Sequence, residues 1–420
     1  MSIGTKFFFG CAAAAAVLTA SGDVTVTADR ADCRYKTGET VTFTIAPDTS
    51  APAVPLKAEL TLDNGKVLAA SSVASDQGGK ITGKLDAPGV LTLRVSGVLG
   101  GKRVQILSGA AVEPEKIAPG AEAPADFKEF WAAELAKAEK TPLDPQLQKL
   151  DKYSNDKYTS YAVSFAVPDG RVHGFLCIPN RKGPMPALIG IDPSGSGRNV
   201  PVVNQFGNRK VVLWMGVHDY PATLSGAERN RAYKAVNTPK PYNLSGNTDR
   251  EKYYYHRVLT GLSRAVDYLA TRPEVDPGKI GAWGVSQGGG LALMLAALNP
   301  KIKGVCACVP ALCDHQAYRQ GRRPGWPRLV DPKDPATAAC ADYYDVVNFC
   351  RQIAVPVWII AGLADDTCPP ATIAAAFNVI PAPQKTLILE PGMGHSSNRP
   401  SFGNSLGRLR QTLNRLPAGK

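Results

Sequence analysis

The stretch Lys279–Leu293, KIGAWGVSQGGGLAL, constrains this chain more than any other. Its first half is an apolar run that reads as a buried strand, and its second half is a run of small residues that continues as a helix. Between the two stands Gly284-Val285-Ser286-Gln287-Gly288. A serine between two glycines, where a strand turns sharply into a helix, is driven into a tight backbone conformation that bulky neighbours would forbid. Its hydroxyl is lifted above the end of the strand, and the unpaired N–H groups of the helix's first turn point at the same place. That arrangement suits a nucleophile whose attack creates an oxyanion. The five-residue pattern recurs by chance in chains rich in Gly and Ser, so the flanking strand and helix carry the reading. The alternative is a glycine-rich turn with an incidental serine.

The chain is long enough for two domains at 420 residues. Met1–Gly22 has one Lys, no acid and an apolar run, FFFGCAAAAAVLTA, that ends in small residues. It reads as a signal peptide cleaved after Ala20 or Gly22, with lipidation at Cys11 the less favoured reading, and it implies export to the periplasm or beyond. It is too short for a membrane span, and no integral span is expected. Residues 23–112 carry short alternating runs separated by turn signals, among them ETVTFTI, KAELTLDNGKVLAA and VLTLRVSG, with Asn64-Gly65 marking a hairpin. They predict a small immunoglobulin-like β-sandwich, with a structural or docking role favoured over carbohydrate binding. EPEKIAPGAEAP, residues 113–124, reads as a linker with little to bury. In residues 125–420 a helix capped by Asp126 leads to two strands joined at Pro168-Asp169-Gly170, and then to apolar strands alternating with helices. An antiparallel pair feeding a mostly parallel sheet covered on both faces, with the serine turn in mid-sheet, is the α/β-hydrolase arrangement.

A net charge of +12 invites a polyanion partner, but Lys and Arg are spread along the chain and no nucleic-acid-binding motif accompanies them, so none is expected. Of nine cysteines, Cys11 falls in the leader, and an even number remains in an exported chain, which permits disulfides. Cys306, Cys308, Cys313 and His315 form a cluster with metal-like spacing. Cys306 and Cys308 sit two apart in the apolar run KGVCACVP, however, which favours buried packing or one disulfide over zinc.

Ser286 needs a base, and the base needs an orienting acid. Of five histidines, His395 alone follows a plausible acid loop, in the order serine, acid, histidine that this fold uses. That loop, GLADDTCPP, offers both Asp365 and Asp366, and spacing does not choose between them. The oxyanion donors expected are the backbone N–H of Gln287 and one from Asp192–Ser194, with Ser194 favoured. No cofactor or metal is needed for such chemistry. Trp283, Trp326, Tyr318 and the segment 315–335 are candidates for lining or covering a sugar site, with ordinary packing as the equal alternative.

From about Ala123 onward the chain resembles the acetyl xylan esterase and cephalosporin C deacetylase family of α/β-hydrolases. PADFKEFW, YYYHRVLTGLSRAVDYL, GVSQGGGL and GLADDTCPPATIAAAFN carry the resemblance. It implies Ser286 as nucleophile, His395 as base and Asp365, rather than Asp366, as acid. Three places depart from the family's pattern. Trp214-Met215-Gly216-Val217-His218 stands where those esterases have Arg-Gly-Gln, Asp192-Pro193-Ser194 replaces a His-Gly, and Ser396 replaces the Glu after the histidine. The resemblance therefore speaks more firmly for the reaction than for the substrate. It implies an exported serine esterase that removes acetyl or other small acyl groups from carbohydrate esters, with room for an oligomer. The alternatives are a broader esterase or a peptidase on the same fold, and a non-catalytic carbohydrate-binding protein.

Overall fold

The structure is a computed structural model that describes residues 24–48, 52–202, 209–395 and 400–415. The leader Met1–Gly22 and the residue after His395 lie outside the described residues. Among the described residues eight strands come first: β1 (Thr25–Ala28), β2 (Arg34–Tyr35), β3 (Val41–Ala46), β4 (Pro55–Leu62), β5 (Val67–Ala74), β6 (Gly79–Gly83), β7 (Gly89–Leu99) and β8 (Lys102–Val112). They form a three-stranded sheet, β1-β3-β6, and a five-stranded sheet, β2-β8-β7-β4-β5. Alternate side chains of both sheets, such as Val41, Phe43 and Ile45 from one and Leu56, Leu91 and Leu93 from the other, bury into one shared core. The hairpin between β4 and β5 turns on Asp63 and Asn64, both left-handed, with Gly65 N–H donating to the Leu62 carbonyl. The turn is thus one residue earlier than the Asn-Gly pair predicts, because Asp and Asn tolerate that conformation as well as Gly does.

The rest of the chain builds a nine-stranded sheet. Its strands are β9 (Gln146–Lys149), β10 (Tyr158–Val167), β11 (Gly170–Pro179), β12 (Met185–Ile191), β13 (Val211–Met215), β14 (Val275–Val285), β15 (Ile302–Cys308), β16 (Val357–Gly362) and β17 (Lys385–Glu390). Their order is β17-β16-β15-β14-β12-β13-β11-β10-β9. The strands from β12 to β17 run parallel, while β9, β10 and β11 pair antiparallel at one side, β11 against β13. The central strands β13 and β15 are almost wholly apolar and buried, as a sheet covered on both faces requires. One face packs on the helices α1 (Phe127–Lys140), α3 (Tyr254–Ala270), α4 (Gln287–Leu298) and α7 (Pro370–Asn378), and the other on α8 (Pro400–Arg415) through Leu409 and Leu413. Shorter helices α2 (Gly226–Val236), α5 (Pro335–Ala341) and α6 (Val346–Cys350) sit in the loops above the strand ends. Chain order reverses at β12, between β13 and β14, and in open α/β sheets that switch point opens the crevice where ligands bind. No helix among the described residues is long and apolar enough to cross a membrane.

Two local expectations are corrected, and a third is met. Asp126 does not cap α1, since its backbone is not in the extended conformation of a capping residue; its carboxylate instead accepts from Arg250 at 2.8 Å and from the Tyr343 hydroxyl. Residues 113–124 are not a solvated linker. Ile117 is buried in the main core, Asn378 donates to the Pro114 and Ile117 carbonyls at 2.9 Å each, and Gly120 N–H donates to Asp314 at 2.7 Å. The cysteines from Cys33 to Cys368 are all buried and outside any disulfide, and Cys306, Cys308 and Cys313 belong to three different apolar clusters, which is the buried packing expected of them.

Candidate active site

The strand β14 runs straight into α4, and Ser286 sits at the corner with φ 56 and ψ −123. A non-glycine residue held there stores about 1–3 kcal/mol of strain, which only a tightly determined surrounding sustains. Two glycines supply that surrounding. A Cβ on Gly284 would fall 2.1 Å from the Gly288 carbonyl oxygen, and one on Gly288 would fall 2.2 Å from the Ile191 carbonyl oxygen. The turn can therefore close only with hydrogen at both positions. Ser286 N–H donates to the Cys308 carbonyl at 2.9 Å, which ties the corner to the neighbouring strand.

The structure brings the three residues singled out in the sequence into one hydrogen-bonded line. His395 Nε2 lies 2.9 Å from Ser286 Oγ, and His395 Nδ1 lies 2.8 Å from Asp365 Oδ2. A carboxylate can only accept, so Nδ1 carries the proton and Nε2 is the acceptor for the serine hydroxyl. Asp365, fully buried, is itself fixed by N–H donation from Thr367 and Cys368 to Oδ1, 2.9 Å each. Spacing left Asp365 and Asp366 equivalent; the loop turns between them. Asp366 faces away from the histidine and accepts from Gln105 of β8 at 3.0 Å. Burial alone would lower the His395 pKa, but the Asp365 carboxylate and the Cys368 thiol beside it raise it well above the ordinary histidine value. Cys368 is a neighbour the sequence reading missed, although it lies inside the acid loop; burial pushes its thiol up. Among the described residues, Asp365, Cys368 and His395 are the group close enough to hold a metal ion.

The other side of Ser286 is the loop after β12. Asp192 follows Ile191, which pairs in register with Gly284, so Asp192–Ser194 passes beside the elbow. Ser194 is half-buried in this loop, and Gln287 opens α4, where first-turn N–H groups have no acceptor within the helix. Side chains hold the loop's backbone. His218 Nε2 donates to the Gly195 carbonyl at 2.8 Å, and its Nδ1 accepts from the Tyr254 hydroxyl at 2.8 Å. Tyr220 donates to the Ser196 carbonyl at 2.6 Å. The buried Arg229 guanidinium donates to the carbonyls of Ser196, Gly197, Arg198, Ala222 and Leu224. The buried Asp192 carboxylate accepts from Trp214 Nε1 at 2.6 Å and from Arg198 N–H at 2.8 Å. Burial raises its pKa, and the nearby Arg198 works against that. The Gln287 side chain is clamped at Oε1 by the hydroxyls of Tyr242 and Tyr255, 2.6 and 2.5 Å away. Burial pushes His218 down to about 4, so the ring is neutral at physiological pH.

Asp192 and His218 both stand where the family's pattern has other residues, and the structure shows these departures to be neighbours: Trp214 bonds Asp192, and His218 bonds Gly195. Sequence reading missed the supports Arg229, Tyr220, Tyr242, Tyr254 and Tyr255, which carry no local signal because they reach the loop from distant segments. Of the aromatic candidates, Trp283 does not reach the site. Strand alternation turns it to the opposite face of the sheet, against Trp214 at 5.6 Å and the apolar side of α8. The backbone N–H of Trp326 donates to the Thr367 carbonyl in the acid loop at 3.1 Å, and Tyr318 lies in the short turn Ala317–Gln320.

Residues 113–406 match the family model described as acetyl xylan esterase (AXE1). The chain is 32% identical over 387 residues to the acetyl esterase Axe7A of Xylanibacter ruminicola, covering 86% of this chain and 84% of that protein. Among solved structures it is similar to acetyl xylan esterase 1 from Thermoanaerobacterium, with a TM-score of 0.60 and 23% identity over 72% of this chain and 97% of that one. It is also similar to an acetyl xylan esterase from Paenibacillus, with a TM-score of 0.61 and 24% identity over 73% of this chain and 99% of that one. At these identities the two structures speak for the fold, the α/β-hydrolase fold.

Proposed function

Since the chain belongs to the acetyl xylan esterase family and is thereby a carboxylic ester hydrolase, we propose that it removes acetyl groups from carbohydrate esters through an acyl-enzyme on Ser286. The observation that carries the proposal is the continuous line Ser286 Oγ, His395 and Asp365, with both hydrogen bonds under 3 Å. In that mechanism His395 Nε2 takes the Ser286 proton as Oγ attacks the acetyl carbonyl, while Asp365 holds the tautomer and balances the imidazolium. The tetrahedral oxyanion meets the N–H groups of Gln287 and Ser194. His395 then returns its proton to the sugar oxygen, the C–O bond breaks, and the alcohol leaves. A water deprotonated by the same imidazole attacks the acetyl-serine, and acetate departs as Ser286 regains its proton.

The charge pattern supports this order of events: a histidine paired with a buried carboxylate is primed to hold the proton in transit. Met1–Gly22 is further read as an export signal, residues 23–112 as an immunoglobulin-like module and 125–420 as the catalytic domain. A serine-reactive phosphonate tests the nucleophile: it labels the wild type at Ser286, and the label is absent from Ser286→Ala. Labelling elsewhere, with Ser286 untouched, would remove the serine from this role.

A further inference from the structure

The all-β region meets the rest of the molecule at one place in particular, the loop that carries Asp365. Strand β8 lays its backbone directly on that loop: a Cβ on Gly109 would fall 2.1 Å from the Leu363 carbonyl oxygen and 3.3 Å from Leu363 Cβ. Only hydrogen fits between the two chains there, and Leu363 stands two residues before Asp365. Four residues back along β8, on the same face, Gln105 donates to the Asp366 carboxylate at 3.0 Å. From the β4–β5 hairpin the side chain of the buried Asn64 reaches the Asp365 carbonyl at 3.4 Å. The hairpin backbone also pairs with the segment that covers the acid loop: Lys66 N–H donates to the Gly321 carbonyl at 2.9 Å, and Arg323 N–H donates to the Asp63 carbonyl at 3.3 Å. On the far side Arg328 donates to the Asp366 carbonyl at 3.1 Å, and Leu363 N–H donates to Glu390 at the end of β17 at 3.0 Å. The loop is therefore held between two bodies of structure, one of them far away in the chain.

We infer that two residues of the N-terminal all-β region, Gly109 and Gln105, are positioning residues that set the place of Asp365 against His395. The inference rests on the proposed role of Asp365 as the triad acid. The acid loop is short; Thr367 and Cys368 hold the Asp365 carboxylate from within it, while the distance of the loop from His395 depends on what the loop rests against. Gln105 engages Asp366 and leaves Asp365 inward; Gly109 sets how closely the loop can approach. Displacements of about 1 Å in such constellations cost up to ~10² in rate. The groups facing His395 are Asp365, Cys368 and Ser286, so loosening Asp365 removes the main charge that raises the imidazole's pKa.

The test uses the full chain and a pH profile of kcat/KM on a soluble acetyl ester. Gly109→Ala drives a methyl into the Leu363 carbonyl, and the expected result is a loss of about tenfold or more, carried by kcat rather than KM. Its acid limb moves to lower pH, because a less well paired His395 gives up its proton more easily. Gln105→Ala moves both quantities the same way by less, and it decides the question if Gly109→Ala does not fold. Phe43→Leu, in the core of the all-β region and away from the loop, lowers the thermal midpoint but leaves the acid limb in place. Wild-type kcat and acid limb in both Gly109→Ala and Gln105→Ala, alongside an inactive Asp365→Asn, would overturn the inference and leave the triad standing. An active Asp365→Asn would instead overturn the triad reading on which it rests.

Discussion

The two loops that flank Ser286 are held by opposite means. The acid loop, Leu363–Cys368, leans on backbone: its Leu363 carbonyl meets Gly109 with no side chain between them, its N–H and C=O groups bond Glu390 and Trp326, and Gln105, Asn64 and Arg328 add side-chain bonds. The oxyanion-side loop, Asp192–Arg198, is held by buried polar side chains of its own α/β unit, chiefly Arg229, His218, Tyr220 and its own Asp192. A backbone contact fixes distance and tolerates nothing larger than hydrogen. A buried polar network fixes orientation, and losing one member leaves others unsatisfied. The acid loop lies within the stretches that carry the resemblance to the family, whereas Asp192 and Trp214, read as departures from it, touch one another. Substrate preference has more room to diverge on that second side.

The largest expected effect comes from the triad. Asp365→Asn keeps the shape but presents the wrong hydrogen-bonding pattern to Nδ1, and turnover falls by about 10⁴; single-turnover kinetics check it. Next is Arg229→Ala, which strips a buried donor set from the carbonyls of the oxyanion-side loop. A fall in kcat of about 10² with the protein still folded would place that loop's geometry in the transition state, whereas a change confined to the thermal midpoint would make the network purely structural.

The smallest effect is a pH effect. His218 is buried neutral with its pKa pushed down to about 4, so the unfolded chain binds a proton there more readily than the folded one. Stability contributed by that neutral ring is present above the ordinary histidine pKa of about 6.5 and is lost as pH falls toward about 4. His218→Gln keeps a donor toward Gly195 and cannot charge. Thermal midpoints measured from pH 7 down to pH 4 fall less steeply in that variant than in the wild type, and equal slopes would take His218 out of the acid response.

Much of this was legible in the residues. The elbow is written in five contiguous positions whose glycines the close approach demands, and His395 stood out because a single histidine follows the acid loop. The α/β order emerged from apolar runs long enough to be buried on both faces. What the sequence could not show was rotational or remote. Asp365 and Asp366 are one residue apart, and the partners that tell them apart, His395 for one and Gln105 for the other, lie 30 and 261 positions away. Trp283 is open in the sequence between the site and ordinary packing, and strand alternation sends it to packing. Glu113–Pro124 has the composition of a linker, yet it is pinned by Asn378 and Asp314, partners no local pattern announces. His218 was visible as a departure, but its partner Gly195 was not.

The central claim is that Ser286, His395 and Asp365 perform acetyl transfer to water on a carbohydrate ester. Its most direct test is release of acetate from acetylated xylan and from simple acetylated sugars, with wild type and Ser286→Ala run side by side. The account predicts acetate from the wild type and a rate about 10⁴ lower in the variant, with unfolding behaviour unchanged. Acetate release that survives Ser286→Ala, or a wild type that labels at Ser286 and frees no acetate from any of these esters, would contradict it.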